Sequence, residues 1–170
     1  MPVKRRPICA FLLLILTQTG CGIFADRMYE FPVAGTDRVL AAYRIATGPI
    51  SRRFELRLES KKASVLLQSF EGDWYYLACA AAAASNDNRH IHYIITLAGV
   101  PSYVGAYDIE EERPLMEKDV DRDALRREIE RLYKGLPNFP KEDNADLIEW
   151  VRDSNSCQQA FHARFGYGQN

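Results

Sequence analysis

Residues 74–97 read WYYLACAAAAASNDNRHIHYIITL, and the alanine run inside them, Ala80–Ala84, decides the fold. Alanine is the best helix former, so a helix from Trp74 to Ala84 with Asp73 at its cap is one reading. The aromatic start, the turn signal Glu71-Gly72-Asp73 and the turn Ser85-Asn86-Asp87-Asn88 support the other. There the segment is a strand whose small side chains mark the close approach of another element. His90 to Leu97, rich in Ile and Tyr, reads as the next strand of the same hairpin.

Working outward, Phe54-Glu55-Leu56-Arg57-Leu58-Glu59 alternates strictly between apolar and charged residues, the pattern of a strand with one wet face. Arg38 to Ala46, Ser64 to Phe70 and Tyr103 to Ile109 are further strands, separated by turns at Thr47-Gly48-Pro49, Ser60-Lys61-Lys62 and residues 99–102. After a charged linker, Glu110 to Pro114, the period changes. A helix starts near Asp121, with Leu125, Ile129 and Leu132 on one face, and stops at Gly135 and Pro137. Pro140 to Asp143 introduces a second helix, whose stripe holds Leu147, Trp150, Val151, Ser154, Cys157 and Phe161; weak helix formers at 154–156 predict a bend. The expected fold is α+β: one antiparallel meander of five or six strands, with two C-terminal helices on one face.

The N-terminus carries an address. Lys4, Arg5 and Arg6 precede the apolar run Ile8 to Leu16, and small and polar residues lead to Thr19-Gly20-Cys21. This is the layout of a secretory signal. Its end resembles the lipobox of bacterial lipoprotein precursors, with Gln18 where that family usually carries leucine. The resemblance spans about the first twenty residues and implies cleavage before Cys21, lipidation of its thiol and tethering to a bacterial membrane facing the periplasm. In enterobacterial lipoproteins an Asp after the cysteine favours inner-membrane retention; Gly22 leans towards the outer membrane. Two other readings stay open: ordinary cleavage after Ala25, giving a soluble exported protein, and a retained anchor. The apolar run is shorter than the ~20 residues a spanning helix needs.

The expected organisation is therefore a signal over residues 1–20, a tether over 21–36, one domain over 37–165 and a loose tail over 166–170. Removing the leader discards three basic residues and no acidic one, so the formal charge of −1 becomes −4. With no basic patch, nucleic acid is not an expected partner. Of the four cysteines, Cys9 leaves with the leader and Cys21 is acylated or lost. Cys79 and Cys157 remain, and an oxidising compartment suits a bridge between them; two buried free thiols is the other reading.

Candidate chemistry is sparse. His90-x-His92 places two imidazoles on one face of a strand, and His162 would complete a three-histidine metal site; two solvent-facing histidines beside a turn is the plainer reading. Asp119, Asp121, Asp123 and Glu130 partly mimic a calcium loop, but Ala124 stands where the sharp turn needs glycine, so acidic residues complementing a helix start is the simpler account. Trp74, Tyr75, Tyr76, Tyr93, Tyr103 and Tyr107 form either core pairs or a binding row. No nucleophile-elbow, phosphate-loop, zinc-protease or C-x-x-C motif occurs. No catalytic residue, metal or cofactor is assigned. The expected function is a non-catalytic, lipid-anchored envelope lipoprotein acting as a binding or accessory module, with an envelope protein or polymer as partner. An inhibitor or immunity protein directed against a toxin or enzyme is the first alternative, and an enzyme with a His-metal site the second.

Overall fold

The computed structural model describes residues 25–71, 77–98, 102–153 and 155–165. Eight strands form two four-stranded antiparallel sheets. The first is β1 (Ala25–Pro32), β2 (Val39–Ala46), β3 (Arg52–Glu59) and β4 (Ser64–Glu71), in chain order. The second is β5 (Leu77–Ala84), β6 (His90–Leu97), β7 (Tyr103–Asp108) and β8 (Arg113–Leu115). A 3-10 turn at Glu117–Asp119 leads to α1 (Arg122–Tyr133), α2 (Leu147–Arg152) and α3 (Asn155–Phe165).

The α+β class is as expected; the single sheet is not. Two strands escape the sequence reading. β1 lies in the segment assigned to the tether: of its eight residues only Tyr29 and Phe31 are buried, so its apolar alternation is two residues long. β8 falls in the expected charged linker, and its Pro114 is tolerated because a three-residue edge strand needs few ladder hydrogen bonds. The chain also changes sheet between β4 and β5 instead of continuing the meander. The expected strand start at Trp74–Tyr76 lies outside the described residues, as do Cys21, Ser154 and the tail 166–170.

The alanine run is strand. Ala80–Ala83 are buried on both faces of β5, opposite Ile95, Ile94, Tyr93 and His92 of β6. Register places Cys79, Ala81, Ala83, His92, Ile94 and Thr96 on one face of this sheet. That face meets the helices: the Thr96 hydroxyl donates to Val151 O at 2.7 Å, and Cys79 meets Cys157 of α3. The opposite face carries Ala82, Tyr93, Ile95 and Tyr103. It turns to the first sheet, where the rings of Phe70 and Tyr103 lie 4.5 Å apart. The second sheet is thus the middle layer, which is why its strands are apolar without alternation.

The edge of β5 is closed by two devices. Ala34, just past β1, forms a parallel bridge with Ala83. Further along, the buried Tyr133 hydroxyl of α1 donates to Ala80 O at 2.8 Å and accepts from Ala80 N at 3.3 Å. Phe161 of α3 reaches across to the rings of Tyr29 and Phe31 on β1. Sheet edges left unpaired are templates for association, and these contacts remove one.

The first helix is as expected, with the Asp121 carboxylate accepting from Ala124 N at 2.9 Å. The second expected helix is two. It begins only at Leu147, because Asp146 is the residue whose carboxylate caps Ile148 N and Glu149 N. Cys157, Ala160 and Phe161 of α3 are buried, as the stripe predicted for Cys157 and Phe161.

Candidate functional site

A cluster of titratable side chains sits where β6, β7 and the start of α1 meet. Register pairs His90 with Asp108 and His92 with Ala106. His90 Nε2 lies 3.3 Å from Asp108 Oδ2. Arg89 reaches the same carboxylate at 3.2 Å. The other oxygen, Oδ1, accepts from the backbone N–H of Glu110 at 2.9 Å and Glu111 at 3.0 Å. The Glu111 N–H, with help from Arg89 and the Glu110 N–H, holds the Asp108 carboxyl down to about 2 against the opposing effect of burial.

His92 is buried, not solvent-facing as the plainer sequence reading had it. A strand in the middle layer has no wet face, so His92 points into the space beneath α1. Its Nδ1 accepts from Asp121 N at 3.0 Å, satisfying one of the amides a helix start leaves over. Burial lowers its pKa, opposed by the Asp121 carboxylate and reinforced by His90. A neutral ring accepting at Nδ1 carries its proton on Nε2, and that nitrogen is buried without a hydrogen-bond partner.

The three histidines do not converge. The His90 and His92 rings are 6.2 Å apart, edge to face, while His162 on α3 contacts the ring of Phe161. Among the described residues no three His, Cys, Asp or Glu side chains gather as a metal-holding group. The calcium-like series is likewise spent locally: Asp121 caps α1 and Glu130 faces Arg126 at 3.7 Å. A carboxylate-held imidazole such as Asp108–His90 is the base-and-orienter half of a nucleophilic site. The nearby hydroxyl is otherwise engaged, since Ser85 Oγ donates to Asp87 Oδ1 at 2.5 Å and accepts from His90 N at 2.9 Å.

Cys79 and Cys157 do come together, at disulfide distance. Their Cα atoms are 6.0 Å apart across a separation of 78 residues. Of the aromatic row, Tyr93 and Tyr107 are core residues and Tyr103 packs on Phe70. Burial pushes the Tyr93 hydroxyl up to about 12. Its ring fits only because residue 105, directly across, is glycine: a Cβ there would fall 2.5 Å from the Tyr93 oxygen.

A second polar array lies on the outer face of the first sheet. Tyr43 is flanked by two guanidinium groups, Arg57 at 5.3 Å and Arg27 at 6.0 Å from its ring centre. Its hydroxyl donates to Glu59 at 2.7 Å, and Arg27 pairs with the same carboxylate at 2.7 Å. Glu55 is buried beneath Arg53 and Arg57, which bind it at 2.7 and 2.6 Å. The strict alternation of 54–59 foretold a charged face; it did not reveal that Tyr43 and Arg27 complete it.

No protein-family model, curated protein or solved structure matches this chain. Function therefore rests on the chemistry of these residues and on the N-terminal sequence.

Proposed function

We propose that the protein is a lipid-anchored lipoprotein of the bacterial envelope that acts as a non-catalytic binding or accessory module. The address comes from the leader and Cys21. The observation that carries the rest is that the polar groups around the two histidines are engaged in holding the fold. His92 receives a helix-start amide, Asp108 receives two turn amides, and Ser85 ties its own turn. The cysteine pair at disulfide distance is consistent with an oxidising compartment. The outer face of the first sheet, with Arg27, Tyr43, Arg53, Glu55, Arg57 and Glu59 held in register, offers a partner a rigid surface of both signs. Such faces favour specificity of partner over raw affinity.

The test has two steps. Intact mass of the chain isolated from membranes should show a start at Cys21 plus acyl mass, lost in Cys21→Ser; a bare chain starting near Asp26 would refute the anchor. Crosslinking in intact cells should then capture an envelope component, and Arg57→Glu should lose it. A folded, acylated protein that captures nothing would refute the module. The His90–Asp108 contact favours one second reading, an enzyme. Turnover lost in His90→Gln would establish it, and stoichiometric zinc in the purified protein would revive its His-metal form. Isolation of one tight basic protein would instead favour the inhibitor reading.

A further inference from the structure

We infer that the β2–β3 loop, residues 47–51, with Ile50 at its tip and Arg52 at its base, is the part of the domain that sits on the lipid surface. This rests on the anchoring of Cys21. β1 begins at Ala25, so three residues separate the acylated cysteine from the first strand. Four Cα–Cα steps reach at most about 14 Å. The lipid therefore holds one end of the first sheet against the bilayer.

Register says which end. Ala25 pairs with Ile45, and Ala46 pairs with Arg52, so the β2–β3 loop projects past the start of β1 on the side from which the anchor arrives. The turn at 60–63 lies at the far end of the same strands, about 26 Å away for eight residues of strand.

The loop carries the right chemistry for an interface of apolar tails and phosphate. Ile50 is 84% exposed, the most exposed of the large apolar side chains among the described residues. Arg52 donates only to the backbone oxygens of Gly48 and Ser51. No carboxylate among the described residues pairs with it, whereas Arg44 holds Asp26 at 2.8 Å and Arg53 holds Glu55. An apolar tip above a cation left for a phosphate is how amphipathic elements seat at the headgroup boundary. Charge alone would point the other way, towards Lys61 and Lys62 at the far turn. Reach and the apolar tip oppose charge here, which makes the orientation a sharp test.

The experiment uses the full acylated chain, purified from membranes and reconstituted into vesicles of phosphatidylethanolamine and phosphatidylglycerol. Ile50→Cys and, separately, Lys62→Cys carry an environment-sensitive fluorophore. The probe at position 50 should shift to the blue and lose about half its emission on brominated lipid, as a group held about 5–10 Å into the headgroup boundary would. The probe at 62 should report water. Both probes in water, or only 62 quenched, overturns the inference with the anchor intact. A bare Cys21 in the intact mass of the same sample overturns the anchor, and the orientation with it.

Discussion

The two sheets have four strands each and are built on opposite logic. The first keeps one face in water, and β3 announces it: Phe54, Leu56 and Leu58 point in, while Arg53, Arg57 and Glu59 point out. The second has neighbours on both faces over β5, β6 and β7, so nearly every position is buried, the few polar ones such as His92 and Thr96 included, and periodicity vanishes. Half-buried strands can be read from one sequence because solvent enforces the alternation. Doubly buried strands can be read only by what they lack. The run Ala80–Ala84 is extreme: alanine's helix propensity is overridden because a thin strand lets a sheet and a helix layer approach from both sides.

This contrast predicts where the molecule breaks. The largest loss should come from the middle layer's link to α3. Cys157→Ser should lower unfolding free energy by about 2–5 kcal/mol, read by denaturant titration; an unchanged midpoint would mean that the cysteine pair carries no bond. Next is Gly105→Ala, which drives a methyl into the end of the buried Tyr93 ring and forces it to shift. A loss of about 1–3 kcal/mol is expected, and Gly105→Ala combined with Tyr93→Leu should recover part of it.

The third prediction concerns pH. His92 has a folded pKa below its unfolded value of about 6.5, so below that pH the unfolded chain binds the extra proton. Stability should therefore fall as pH drops from about 6.5 towards the folded value, by at most about 1.4 kcal/mol per pH unit for one proton. His92→Gln keeps an acceptor for Asp121 N and should flatten that slope. If the slope persists, another group carries it. Smallest should be Glu59→Gln on the wet face: about 0.2–1 kcal/mol, shrinking further in high salt. A larger loss would erase the distinction between the sheets.

The same contrast explains what was legible. β3, α1 with its start near Asp121, and the meeting of Cys79 with Cys157 follow from alternation, helical spacing and cysteine counting. β1 and β8 were missed because each buries too few side chains to leave a pattern. His92 was misplaced because exposure was inferred from polarity, whereas its neighbours Ile91, Tyr93 and Ile94 belong to a strand with no wet side. The pairing of His90 with Asp108 closes the open end of the β6–β7 hairpin, 18 positions apart, and no local spacing encodes it. Tyr43 gives no signal until the register of β1, β2 and β3 sets two arginines around it.

The cysteine pair also bears on how the chain matures. If the chain is exported as proposed, N-terminus first, Cys79 reaches the oxidising side 78 positions ahead of Cys157. During that interval a lone thiol would wait among oxidants. On the proposed reading Cys9 would leave with the leader and the Cys21 thiol would be capped by lipid. The acyl chain would thus serve as a protecting group as well as a tether, leaving two thiols with only one way to pair.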